Sequence, residues 1–339
     1  MFAKNTFWNL VYQLTAVVAG FLVPRAIIGV YGSEVNGLVT SLTQFIGYFA
    51  LVEAGISGAA TFALYKPLAQ DDWKGVNIVA SASRAFYQKS GAVFLALMVG
   101  LSVIYPVFVS AGALLPWEIV ALTFLLGAKV VVDFFSLSKY RVFLTADKKN
   151  WLIQLASTVY TLLNTGIIIV FSYLRAPVVA VYALALAAVF ARSAILAVYT
   201  RRRYPEFDCK VDYGDFKLPQ RWDALFLQIL GAVQSGAPVI LATVLCGNMS
   251  EVSVLAVYLL ISNGLQMIPN VLGTGLQASF GRQIADGDYG ALRVSYRPYR
   301  ALVYSVSAVA CGCAFSLILP FTDLYAGNFH DADYHNALL

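Results

Sequence analysis

Nine apolar stretches dominate this chain, at residues 6–30, 35–65, 91–115, 117–140, 151–173, 177–200, 222–246, 252–280 and 301–325. Each is long enough to cross a hydrocarbon layer as a helix, which takes about 20 residues. In lipid only helices and closed barrels satisfy every backbone N–H and C=O group. The runs are continuous rather than alternating, so the pattern predicts an all-α, polytopic membrane protein with about nine transmembrane helices. Composition agrees. Hydrophobic residues make up 60% of the 339 and charged residues 12%, whereas soluble domains run at about 45–50% and about 25%. A water-facing globule would lack the polar cover its surface needs.

The basic residues give the topology. With the amino terminus inside, 19 of the 23 lysines and arginines fall in inner segments. Lysine and arginine resist translocation, so this asymmetry predicts a multi-pass protein with a cytoplasmic amino terminus. The outer loops hold Arg175, and Arg25, Lys129 and Arg192 lie within spans. The net charge of +5 is thus spread over alternate loops rather than gathered with aromatics on one face, and no nucleic-acid partner is expected. The first span runs past Pro24 and Arg25 without a cleavage pattern, so it reads as a membrane helix and not a leader.

An internal repeat organises the chain. Ser33-Glu34-Val35 after the first span recurs 217 residues later as Ser250-Glu251-Val252 after the seventh, and the same shift carries Asp71 onto Asp288. Both regions read span, short outer turn, long span, polar inner loop, span. Duplicated units of this kind build many transporters, with the substrate site between the repeats. The repeat predicts a six-helix bundle over residues 1–221 and an incomplete related bundle over 222–339. It also predicts an open reading frame that continues for roughly three to five further spans of ~20 residues each.

Charges inside spans cost roughly 2.5–3.5 kcal/mol each at mid-helix, so they mark bundle interiors or watery cavities. Five stand out as candidate substrate-binding residues: Arg25, Glu53, Lys129, Asp133 and Arg192. Two readings stand. Three cations at different depths form a ladder for an anionic headgroup; or Lys129 pairs with Asp133 at i+4 while Arg25 and Arg192 snorkel to opposite surfaces, serving assembly alone. Glu53, midway along the second span, binds a proton, couples to Arg25 or holds two helices together. Residues 71–90 place Trp73, Val76, Ala80 and Tyr87 at helical spacing, as in a helix lying on the membrane or an ordinary connector. No phosphate loop, nucleophilic triad or metal-ligand set is present, so no catalytic residue, metal or cofactor is expected.

Several motifs carry a family likeness: Asn9-Leu10-Val11-Tyr12-Gln13, Pro24-Arg25, the turn from Tyr31 to Leu38, Glu53-Ala54-Gly55 and Tyr65-Lys66-Pro67-Leu68-Ala69. Leu144-Thr145-Ala146-Asp147-Lys148-Lys149 and Asp331-Ala332-Asp333-Tyr334 belong with them. In these the chain resembles the polysaccharide flippases of the multidrug/oligosaccharidyl-lipid/polysaccharide export superfamily, the branch found in Gram-positive bacteria especially. The resemblance implies two six-helix bundles around a cavity that opens alternately to each side of a bacterial cytoplasmic membrane. The implied cargo is an undecaprenyl-diphosphate-linked oligosaccharide moved from the inner to the outer leaflet, with a proton or sodium as coupling ion left open. A multidrug or cation antiporter of the same superfamily is the nearest rival, and a membrane-embedded polymerase or glycosyltransferase a more distant one.

Overall fold

The computed structural model describes residues 2–53, 56–109, 112, 114–214, 216, 222–285, 289–327 and 329–334. Among them the chain is helical, with no strand: α1 Phe2–Tyr31, α2 Ser33–Phe49, a 3₁₀ turn Ala50–Glu53, α3 Ile56–Ala69, α4 Trp73–Phe108, α5 Pro116–Val132, a π-helical turn Asp133–Leu137, α6 Ser138–Ala146, α7 Asn150–Tyr173, α8 Val178–Arg203, α9 Trp222–Cys246, α10 Met249–Ala285 and α11 Tyr289–Ala326. Each expected span falls on a helix, although α4 ends at Phe108 where the third span was expected to reach 115. The second is built from α2, the 3₁₀ turn and α3, and the fourth from α5, the π turn and α6. Among the described residues eight rods are long and apolar enough to cross a membrane, and each leaves two-thirds or more of its apolar window uncovered by protein. Such surface needs lipid. The protein is therefore an all-α, polytopic membrane protein. The ninth rod, α10, has 37 residues, and the side chains in its middle lie outside the described residues.

Local chemistry sets the helix ends. Gly32 joins α1 to α2 at φ 90°, a conformation that favours glycine because a Cβ would crowd the backbone. Asp72 caps α4 by accepting from the Gly75 N–H at 3.0 Å, satisfying one orphan donor of the first turn. Pro116 opens α5, where its missing N–H costs nothing. Residues 73–90 form the first half of α4, with Val76, Ala80 and Tyr87 buried against the unit's core. The amphipathic stripe expected there packs on protein rather than lying on the membrane.

The chain divides into two compact units, Met1–Ser253 and Val254–Leu339. In the first, α1 packs on α7, α7 on α8, α4 on α5, α3 on α6, and α2 on α9. Its main core gathers Phe94, Met98, Leu137, Phe143, Leu144 and Leu196 where α4, α6, α7 and α8 converge. The segment after α8 straps across this end. Phe207 sits 4.3 Å from Phe143, while Asn77, Ser81 and Arg84 on one face of α4 hold the strap backbone at Glu206, Asp208, Cys209 and Val211. Burial pushes the Cys209 thiol up to about 11, although Lys139 and Arg84 oppose the shift. In the second unit the tail folds back, with the Tyr258 hydroxyl donating to the Tyr334 carbonyl at 2.7 Å.

The repeat extends to helix lengths. Adding 217 to the bounds of α1 gives 219–248, where α9 stands; the stretch from α2 to α3 maps onto 250–286, against α10 at Met249–Ala285; α4 maps onto 290–325, against α11 at Tyr289–Ala326. Asp288 and the Ala54-Gly55 pair lie outside the described residues.

Candidate functional site

Among the described residues of the first unit, a 3₁₀ turn and a π turn interrupt the spans, and they fall at two carboxylates, Glu53 and Asp133. Glu53 ends the 3₁₀ turn of the second span, and Asp133 begins the π turn of the fourth. Turns of this kind free backbone groups and re-aim side chains, and in membrane proteins they are tolerated where protein or a wet cavity covers them. The Asp133 carbonyl is doubly engaged: the Ser138 backbone N–H donates to it across the π turn, and Ser138 Oγ donates to it at 2.9 Å. Across the helix pair, Ser193 Oγ donates to Ser136 Oγ at 2.8 Å.

Each carboxylate has an arginine. Arg141 Nη2 meets Glu53 Oε1 at 3.0 Å, and Arg192 Nη2 meets Asp133 Oδ2 at 3.1 Å. The four side chains are 34%, 26%, 16% and 24% exposed respectively, so the pairs are enclosed but reachable. Tyr160 joins them, with Arg192 and Lys129 each 5.5 Å from its ring centroid. Asp133 feels the charges of Arg192, Arg141 and Lys129, and Glu53 feels that of Asp133. Three cations thus face two carboxylates. Asp133 Oδ1 is buried and has no hydrogen-bond partner among the described residues.

This geometry revises the expected pairings. Lys129 does not pair with Asp133 despite the i+4 spacing; it makes no ion pair among the described residues, and Asp133 turns to Arg192 on α8. Arg192 therefore faces a carboxylate instead of snorkelling. Glu53 takes Arg141, not Arg25, which is exposed on α1. Glu53, Lys129, Asp133 and Arg192 come together, and Arg25 is not among the partners found for them. Arg141 was missed by sequence reasoning, which ended the fourth span at Tyr140 and counted Arg141 as a loop charge. A signal existed: Arg141 lies eight residues beyond Asp133, about two turns along the same helix.

A second polar feature joins α2 to α9 and the start of α10. Asn36 Nδ2 donates to Ser253 Oγ at 2.7 Å. Ser41 Oγ accepts from Tyr105 and Thr243, each at 2.8 Å. All five residues are buried. Gly37 permits the approach, because a Cβ there would lie 1.8 Å from the Met249 carbonyl oxygen. Asn36 and Ser253 are counterparts under the 217-residue repeat, so the junction is made by equivalent positions meeting each other, as in a self-complementary interface.

Among the described residues no group of three His, Cys, Asp or Glu gathers to hold a metal. No family model matches the chain, and no curated protein matches it. A solved structure does: a multidrug resistance MATE family transporter of the MOP superfamily in an inward-facing conformation, with a TM-score of 0.69 at 15% identity, over 95% of this chain and 73% of that one. At that identity the likeness is one of fold, and this chain folds as that transporter does.

Proposed function

We propose that this protein is a transporter, not an enzyme, that flips a polyprenyl-diphosphate-linked oligosaccharide from the inner to the outer leaflet of a bacterial cytoplasmic membrane. The observation that carries the reading is the cluster of Glu53, Arg141, Asp133, Arg192, Lys129 and Tyr160, which sits on distorted helices and holds one more cation than anion. An excess positive charge held in a partly enclosed site attracts phosphate oxygens, and arginine binds them with two parallel donors. The fold similarity to a MOP-superfamily transporter supports membrane transport as the activity.

The residues suggest how the step is driven. Arg141 and Arg192 are engaged by carboxylates, so a diphosphate must displace Glu53 or Asp133 to reach them, whereas Lys129 makes no ion pair among the described residues. A proton or sodium ion taken up by the displaced carboxylate neutralises it and favours the exchange. Reversal on the other side returns the arginine to its carboxylate and releases cargo. Alternating access then requires the α2 junction to part, and its hydrogen bonds, made by hydroxyls and the Asn36 amide, are ones that water can replace.

The test is complementation in a strain lacking its own lipid-linked-sugar exporter. Wild-type protein should restore surface polysaccharide, and Lys129→Ala should cut export several-fold at equal protein level. The rival, a drug antiporter, draws on the two carboxylates as cation sites. Raised drug resistance in a pump-deficient strain, with no restoration of polysaccharide, would establish the rival and refute the flippase reading.

A further inference from the structure

Away from the charge cluster, α7 and α8 enclose a shallow groove of about 660 Å³. Its floor is apolar: Leu152 near the start of α7, and Ala194, Ile195, Val198 and Tyr199 on α8. Arg202 and Arg203 close one end. On α8 these positions recur at i, i+4 and i+8, so they form one stripe that runs ~12 Å along the helix at 1.5 Å per residue and ends at the arginines.

Three observations say what fits there. Both arginines are exposed, and neither makes an ion pair among the described residues, so the rim offers positive charge without a carboxylate to answer it. The floor belongs to spans that face hydrocarbon, with Val198 49% exposed. Aromatic rings mark the headgroup level at the same end: Trp151 lies edge-on to Tyr199 at 6.1 Å, and Lys4 Nζ stands 3.5 Å over the Trp151 ring. Tryptophan and tyrosine concentrate at that depth because their rings are amphipathic.

We infer that this groove is a binding site for an anionic glycerophospholipid, with an acyl chain along the stripe from Ala194 to Val198 and the phosphate at Arg202 and Arg203. Basic pockets between transmembrane helices at the cytoplasmic surface hold anionic headgroups in this way. A zwitterionic lipid fills the same groove but brings its own cation to the rim and loses the advantage. The site is independent of the cargo reading, since it shares no residue with the charge cluster.

The experiment is fluorescence quenching of Trp151 in the full chain, reconstituted in phosphatidylcholine vesicles that contain either dibrominated phosphatidylglycerol or dibrominated phosphatidylcholine. The Trp151 signal is the difference between the protein and its Trp151→Phe variant. Each arginine near an anionic lipid is worth roughly a fivefold preference. The expected result is stronger quenching by the brominated phosphatidylglycerol at equal mole fraction, with the preference falling at least fivefold in the Arg202→Gln/Arg203→Gln variant. Both arginines are exposed, so that variant keeps the fold. Ala194→Phe, also at an exposed position, fills the groove and leaves the arginines in place; it should abolish the preference too. Equal quenching by both lipids in the wild type overturns the proposal. A preference that survives Ala194→Phe places the lipid outside the groove and overturns it as well. So does displacement of brominated phosphatidylglycerol by decaprenyl phosphate at a much lower mole fraction than by unlabelled phosphatidylglycerol, which would make the groove a prenyl-lipid site.

Discussion

Replacing Arg192 with glutamine removes the ion-pair partner that Asp133 has among the described residues, where its Oδ1 already lacks a hydrogen bond. Removing one member of a fully buried pair costs about 3–5 kcal/mol, whereas a pair in open water is worth about 0–1 kcal/mol. The Asp133 and Arg192 side chains are 24% and 16% exposed, and Arg141 and Lys129 still act on Asp133, so the cost falls between these limits at about 2 kcal/mol. Asp133→Asn alone should cost about 1 kcal/mol, because Arg192 keeps its contact with the Tyr160 ring. The double variant removes both charges and should cost no more than about 1 kcal/mol, giving a coupling energy of about 2 kcal/mol. Reversible unfolding of the four proteins in mixed detergent micelles measures it. A coupling below about 0.5 kcal/mol would show that the two side chains do not form the pair, and the exchange of Arg192 between Asp133 and a phosphate would lose its basis.

Other outcomes are expected from the same structure. Cysteines at Asn36 and Ser253 should form a disulfide across the α2 junction, and export should stop under oxidation and return with reductant; export unaffected by a complete cross-link would mean that the junction does not open. Gly37→Leu should separate α2 from the start of α10, costing about 1–3 kcal/mol in unfolding measurements, because the added side chain meets a backbone oxygen. At the strap, Lys149 bonds both Asp147 and the Tyr204 hydroxyl. Burial opposes the charge on Lys149, but these bonds outweigh it and raise its pKa above the ordinary 10.5. Burial raises that of Tyr204 as well, and its bond to Asp147 adds to the effect. Both groups titrate later when folded, so their stabilisation is whole below about pH 10 and drains away as pH rises through the folded values. Tyr204→Phe should flatten this alkaline loss of stability in a pH series of thermal melts, and an unchanged slope would discount the triad.

The long second and fourth spans were legible as apolar runs, but their distortions were not. A 3₁₀ or π turn shifts the backbone bonding from i+4 to i+3 or i+5, and the Ser138 N–H and hydroxyl that both reach the Asp133 carbonyl do so through geometry that hydropathy does not encode. Partner choice was hidden for a different reason. The i+4 rule describes neighbours on one helix, whereas packing of α8 against the fourth span brings Arg192 to 3.1 Å from Asp133, and no spacing within one helix encodes that. Arg141 was concealed by a span boundary placed a turn and a half too early.

Sequence alone determined the class, the order of the apolar rods and the 217-residue spacing between them, because hydrocarbon admits few structures and a long apolar run shows its bounds in composition. Tertiary structure alone decided which charges meet, and it showed that Asn36 and Ser253 touch. Burial in a low-dielectric interior makes each ion pair depend on a separation of a few ångströms between helices, and that separation is set by packing of the whole unit.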